Sequence, residues 1–402
     1  MIVLNLEQFI STYITKRPIS MFSSSISDKK SALHNKINNK SVLVIGGAGS
    51  IGSSFIKTLL HFSPSRLIVV DTNENALAEL TRDLRSSFIS FPSEYITYPM
   101  DFASSVFRKM FRTYHGFDIV ANFSAHKHVR SEKDIYSIEA LLRNNVLNAK
   151  KLLDLLTEYP PEIYFCVSTD KAANPVNIMG ASKRIMEDVI FSYSDRFPVK
   201  TARFANVAFS NGSLLAGFLS RLEKLQPLSA PSDVKRYFVS PEESGQICLL
   251  SAMLGDNREI FFPKLMETQM MSFDEIARNL LKECGYEVLE CSSDEEAIKN
   301  AEILKHGSKK YPVHFAVSDT SGEKPFEEFV TYSETTDMNR FSSLGVIIGK
   351  EIPDRKKINK LFNDLEIAFE CETTKEEIIA IMKEYLPNFE HIESGKSLDS
   401  KM

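Results

Sequence analysis

Between residues 41 and 207 the chain alternates short, continuously apolar runs with stretches of helical periodicity, and this alternation restricts the fold more than any other feature. The runs are SVLVIGG (41–47), RLIVVD (66–71), YITYPMD (95–101), FDIVANFSA (117–125), EIYFCVSTD (162–170) and VKTARFANV (199–207). Runs without regular polar alternation belong to strands covered on both faces. Such strands, separated by helices, form a parallel sheet with a helix layer on each side. The expectation is an α/β fold, a doubly wound parallel sheet, closed by a last strand in REIFFPK (258–264).

The loop after the first run is GGAGSIG, with Gly46, Gly49 and Gly52 at three-residue spacing and Ser50 and Ile51 opening the next helix. Glycines at that place allow a tight turn and a close backbone approach to a pyrophosphate, which then rests on the helix N-terminus. Asp71 ends the second run 19 residues after Gly52, where a carboxylate accepts hydrogen bonds from adenosine ribose hydroxyls. The sheet is therefore expected to be Rossmann-like and to bind a dinucleotide. Asp71 favours NAD over NADP, because a 2′-phosphate would face a carboxylate, although Arg82 and Arg85 on the following helix leave NADP open. Asp101 with Phe102, and Ser124 with Ala125, complete the expected cofactor contacts at the ends of the third and fourth runs.

The chain has 402 residues, 43% of them apolar, and a net charge of −5. That charge attracts neither nucleic acid nor an anionic membrane surface. The five cysteines are odd in number and form no C-x-x-C pair, which argues against a disulfide framework or a zinc site and for a reducing compartment. No apolar stretch approaches the ~20 residues of a membrane span. Glu7 interrupts the apolar start, so residues 1–20 read as an amphipathic helix and not a signal peptide; the expected location is the cytoplasm. The expected division is a polar N-terminal extension with one short helix (1–38), a dinucleotide-binding domain (39–234), a smaller α+β substrate region (235–349) with a strand and charged helix inserted near 286–310, and a C-terminal helical extension (350–402). In the last of these, TTKEEIIAIMKEYL offers Thr373 or Thr374 as an N-cap.

The most specific segment is STDKAANPVNIMGASKR (168–184). Together with NFSAHKHV (122–129), RFANVAFSNGSLL (203–215), KRYFVSPEES (235–244) and SGEKPFEE (321–328) it resembles the UDP-N-acetylglucosamine 4,6-dehydratases. These are the polysaccharide-biosynthesis branch of the extended short-chain dehydrogenase/reductase superfamily. The resemblance runs in order over roughly residues 40–345. A catalytic tyrosine four positions before Lys183 would fall at Met179; many members of this family carry methionine there and are active. What the resemblance implies is an internal redox cycle on a tightly held, recycled nicotinamide. Hydride leaves sugar C4, the resulting ketone acidifies C5, water leaves from C6, and the hydride returns to C6. That chemistry needs an acid and a base side by side, their proton affinities pushed apart by their surroundings. Asp170 is the expected acid toward the C6 hydroxyl and Lys171 the C5 base. Thr169 is expected to bond the C4 oxygen, Lys183 the nicotinamide ribose, and Met179 to form an apolar wall. The C4 proton is left to a water relayed by Lys183 or to Lys171 itself.

The resemblance also places Lys127, Asn206, Arg236, Lys264 and Glu323 against the nucleotide-sugar. Two departures fall in this half: Ala205, Ala208 and Asn211 stand where the family usually has Gly, Gly and Arg, and Thr320 where it usually has Arg. His126 and His128 flank Lys127, but two histidines without a third ligand do not make a metal site. An epimerase on the same scaffold, a non-catalytic nucleotide-sugar sensor, and a GDP- or dTDP-linked substrate remain alternatives. A homo-oligomer, dimer or higher, is the arrangement the family implies.

Overall fold

A computed structural model of the chain describes residues 4–318 and 326–393. Six strands follow the six apolar runs: β1 (Ser41–Ile45), β2 (Arg66–Asp71), β3 (Glu94–Pro99), β4 (Ile119–Asn122), β5 (Ile163–Thr169) and β6 (Val199–Phe204). All are parallel, in the spatial order β6-β5-β4-β1-β2-β3, and Glu259–Pro263 joins β6 in the same sense. Val42, Leu43 and Val44 have no solvent contact on either face of the sheet, nor do Leu67, Ile68 and Val69. That is the physical source of their unbroken apolar character.

REIFFPK does not close the sheet. Leu344–Ile348 pairs antiparallel with Glu259–Pro263, and Thr335–Asp337 pairs antiparallel with Leu344–Ile348, giving nine strands. The strand order reverses at β1, whose neighbours are β2 and β4. The crevice beyond the carboxyl ends of β1 and β4 is where ligands bind in such sheets.

The N-terminal stretch holds more order than a polar lead-in. Helix Leu6–Phe9 continues as a π-helical turn, Ile10–Ile14, and is followed by helices Ser23–Asp28 and Lys30–Ile37. Phe22, just before the first of these, and Leu33 and Ile37 on the second are fully buried in the main core. A second, smaller core takes residues from both sides of position 234. Phe9, Leu215, Phe218, Leu228, Leu280 and Tyr311 are among its members. It is built on a three-stranded parallel sheet in which Lys310–Ala316 lies between Glu287–Cys291 and Leu228–Pro231. The inserted strand and charged helix (Asp294–Asn300) fall where expected.

Helices Arg355–Glu370 and Lys375–Tyr385 pack along the Asn148–Leu156 and Ile178–Phe191 helices. Lys150 stands over the Phe362 ring at 5.8 Å and Tyr385 Oη bonds Asp188 at 3.3 Å. Thr374, not Thr373, caps the second helix, with Glu377 completing a capping box. Beyond it, the Ile392 amide donates to the Val176 carbonyl at 2.9 Å, and the His391 ring lies 3.3 Å from a Glu132 carboxylate oxygen. No helix among the described residues is long and apolar enough to cross a membrane.

Candidate active site

The glycine loop is built by close approach. A side chain at Gly46 (φ +70°) would lie 2.6 Å from the Ser124 amide nitrogen, and one at Gly52 would lie 2.4 Å from the Gly46 carbonyl oxygen. Gly49 is different: a Cβ there meets only the Gly46 oxygen, at 3.4 Å, and otherwise points into open space at the start of the Ser50–Leu60 helix. Asp71 accepts from the Ala48 amide at 3.0 Å with one oxygen and from the Asn73 amide at 3.0 Å with the other. A carboxylate has about four acceptor positions, so two remain for ribose hydroxyls. Helix N-terminus, bare Gly49 and half-used Asp71 together fit the adenosine diphosphate part of a dinucleotide.

The other residues expected to contact a cofactor follow the carboxyl ends of β3 and β4. Asp101 is exposed and accepts from the Ala103 amide at 2.8 Å, while Phe102 is buried. Ser124 and Ala125 follow β4, with the Ser124 amide held by Asn122 Oδ1 at 3.0 Å. Arg82 bonds Glu79, and the Arg85 guanidinium sits 4.7 Å over the Phe91 ring.

The STDKA segment starts where β5 ends. Thr169 Oγ1 donates to Asp170 Oδ1 at 2.7 Å, the Lys171 amide donates to the same oxygen at 2.9 Å, and Lys171 Nζ lies 3.1 Å from it. Asp170 is buried. A second carboxylate faces the same ammonium, with Glu327 Oε1 at 3.7 Å. Lys183 and Met179 share the Ile178–Phe191 helix and are both buried. Lys183 Nζ donates to the Val167 carbonyl at 2.7 Å, and burial lowers its pKa below the ordinary lysine value. The Met179 amide, one of the unpaired donors of the first helical turn, is taken by Glu132 at 2.9 Å. Gly180 permits the return of the chain: a side chain there would meet the Lys171 carbonyl at 2.6 Å.

Two supports were not apparent from sequence. Asn145, in a π-helical turn (Arg143–Leu147), clasps the His126 backbone through both its amide and its carbonyl, each at 2.9 Å, and bonds Ser182 at 3.1 Å. An interruption of helical pairing inside a helix often marks a functional position. Arg203 on β6 is wholly buried and paired through two bonds to Glu187 and two to Glu334, with a fifth to the Phe329 carbonyl at 2.8 Å. Burial alone would raise the Glu187 pKa, but the guanidinium outweighs it and holds the carboxyl below its usual value. The same contest, joined by Lys350, leaves Glu334 at about 2. Because Arg203 grips residues 329 and 334, it fixes the segment that presents Glu327 to Lys171.

A cleft of about 740 Å³ opens from this point toward the second core. Lys127, Lys171, Asn206, Arg236 and Glu327 all line it. Lys127 keeps solvent contact, yet crowding of its head lowers its pKa. Lys264 is engaged elsewhere: its ammonium bonds the carbonyls of Met338, Phe341 and Ser342, bracing the turn into the antiparallel edge strands. Glu323 and Thr320 lie outside the described residues. His128 borders the cleft against Gly212, where a Cβ would come within 2.9 Å of its ring.

The family model described as polysaccharide biosynthesis protein matches residues 42–348. An uncharacterized membrane protein of Methanocaldococcus jannaschii is 28% identical over 88% of this chain and 98% of its own length. A UDP-N-acetylglucosamine 4,6-dehydratase (inverting) of Campylobacter jejuni is 26% identical over 57% of this chain and 68% of that protein. A UDP-glucose 4-epimerase of Rickettsia conorii is 27% identical over 56% and 66%. Other curated relatives are longer, the chain spanning 44% of one and 42% of another. Among solved structures, Pen from Bacillus thuringiensis superposes with a TM-score of 0.63 at 17% identity, over 82% of this chain and 99% of that one.

Proposed function

We propose that this chain, which belongs to the polysaccharide biosynthesis protein family, is a nicotinamide-dependent 4,6-dehydratase of a UDP-linked N-acetylhexosamine, serving assembly of a surface glycan or glycosylated protein. One observation carries the reading: the Lys171 ammonium faces the carboxylates of Asp170 and Glu327, and Lys171 and Glu327 line the cleft. Elimination across C5 and C6 needs an acid and a base within one sugar's width of each other. Moving one proton across the 3.1 Å from Lys171 Nζ to Asp170 Oδ1 gives a carboxylic acid beside a neutral amine. The ion pair and the acid–base pair are thus two forms of one assembly, related without any exchange of protons with solvent.

A nicotinamide held by the glycine loop and Asp71 would supply the place where a hydride is parked and recovered. The rest falls to the chain. Thr169 orients the C4 oxygen, neutral Lys171 takes the C5 proton, and Asp170 delivers its proton to the departing C6 hydroxyl. Glu327 then faces the newly charged ammonium and stabilises it at close range. Asn206 and Arg236 lie along the cleft toward the second core, suited to the diphosphate. The unblocked Asp71 carboxylate, with Arg82 and Arg85 turned to other partners, supports NAD over NADP.

The epimerase relatives favour a second reading, in which the ketone forms and is reduced again at C4. That reaction has no use for an acid aimed at C6. Incubation of the protein with UDP-N-acetylglucosamine, followed by mass spectrometry, separates the two. A product lighter by one water supports the dehydratase. An isomer of unchanged mass establishes the epimerase, and unaltered substrate defeats both.

A further inference from the structure

The loop between β6 and the Leu214–Glu223 helix does something the proposed reaction alone does not ask of it. On one side Ser210, Gly212 and Ser213 line the cleft. On the other, the Asn211 amide donates to Ser50 Oγ at 2.8 Å, in the first turn of the glycine-loop helix and 161 positions away in sequence. The loop therefore stands between the two ligand sites and touches the element on which a pyrophosphate would rest.

Its backbone is held in an unusual shape. Phe209 has φ +54° and Gly212 φ +73°. A bulky residue in the left-handed region persists only where its surroundings impose it. Gly212 is pressed against the His128 ring, with no room for a Cβ. Phe209 is met edge-on by Phe9, ring centres 6.0 Å apart. Phe9 belongs to the N-terminal extension, which is itself tied down. Tyr13 bonds Glu283, Lys16 pairs with Glu275 at 3.8 Å, and Arg17 makes two 2.7 Å bonds to the buried Glu243.

We propose that the N-terminal extension is part of the cofactor-binding apparatus: through Phe9 and Phe209 it holds residues 208–213 across the mouth of the glycine loop, closing the nicotinamide dinucleotide in. This rests on the proposed dinucleotide site and deepens it. Release of the cofactor requires the Asn211–Ser50 bond to open, and opening it moves a loop whose far end is wedged under Phe9. An internal redox cycle that regenerates its own hydride carrier gains from such a closure, because nothing has to exchange between turnovers.

The test measures cofactor, not turnover. Purified full-length protein loaded with NADH is diluted into excess NAD, and nicotinamide fluorescence gives the release rate for wild type, Phe9→Ala, Ser50→Ala and the double variant. Each single change should speed release by about threefold to tenfold, the worth of one lost hydrogen bond. The double variant should be no faster than the faster single, since both open one latch. Multiplicative rates, or a Phe9→Ala rate equal to wild type, overturn the proposal while leaving the dinucleotide site intact. A wild-type protein that takes up no nicotinamide overturns the site itself. Phe9→Leu, which keeps an apolar side chain in the second core, replaces Phe9→Ala if the latter does not fold.

Discussion

Replacing Gly49 with alanine, and separately Gly52 with alanine, separates what the glycine loop does for the fold from what it does for a ligand. At Gly52 a methyl group would sit 2.4 Å from the Gly46 carbonyl oxygen and 2.8 Å from the Gly47 Cα, both backbone atoms with little freedom to yield. Overpacking of this kind costs about 1–3 kcal/mol, and two backbone clashes place it at the upper end. Alanine returns about 1 kcal/mol of helix propensity, leaving a net loss of about 2 kcal/mol. For a chain of 402 residues the unfolding entropy is about 0.8 kcal/mol per kelvin, so the apo-protein melting point should fall by roughly 2–3 °C. At Gly49 the backbone is extended (φ −72°) and the only neighbour within reach is the Gly46 oxygen at 3.4 Å. The apo-protein should therefore melt within about 1 °C of wild type. The added methyl instead occupies the approach to the helix N-terminus, and a contact of that severity weakens NAD binding by roughly tenfold to a hundredfold. Differential scanning calorimetry without cofactor and titration calorimetry with NAD give both numbers. Equal melting losses in the two variants, or undiminished NAD affinity in Gly49→Ala, would refute the assignment of that open space to the pyrophosphate.

Lys171→Met should leave nucleotide-sugar affinity within a few-fold while kcat falls by roughly 10²–10⁴; solvent deuterium should no longer enter at C5, and undiminished exchange would move the base to another group. Glu334, held at about 2 by Arg203 and Lys350 against an ordinary value of 4.5, stabilises the fold fully above its unfolded pKa. That contribution, about 3 kcal/mol, drains away as pH falls from roughly 5 toward 2. Glu334→Gln should therefore lower stability at neutral pH and flatten the acid limb of a denaturation curve, and an unchanged acid limb would count against the network.

The parts of the fold legible in sequence are those whose physics is local. β1, β2, β4, β5 and β6 announce themselves because both faces are buried, whereas β3 is a half-buried edge strand; the STDKA segment stands out because its residues are chemically distinctive. Leu344–Ile348 escaped notice: it is a five-residue strand following turns, and its antiparallel pairing depends on a partner more than eighty positions earlier. Helices Ser23–Asp28 and Lys30–Ile37 have polar outer faces and bury only a few side chains, so composition hides them. Glu327 and Glu328 are neighbours of identical chemistry, yet one faces Lys171 and the other bonds Asn174 at the surface; only the fold distinguishes them. Arg203 did leave a signal. An arginine near the end of the strand run VKTARF, with the acidic Glu187 and Asp188 amid the apolar residues of RIMEDVIF, is compatible with a buried ion pair.

Glu132 gathers three distant stretches of chain: the Met179 amide, the Lys375 ammonium on its carbonyl, and the His391 ring, the latter two 243 and 259 positions away. Closing loops of that length is slow compared with pairing neighbouring strands. The sheet can thus become complete while the start of the Ile178–Phe191 helix still waits for its seat. The Met179 amide hydrogen, taken by Glu132, is therefore expected to report in hydrogen exchange the docking of residues 375–392 and not the formation of the core.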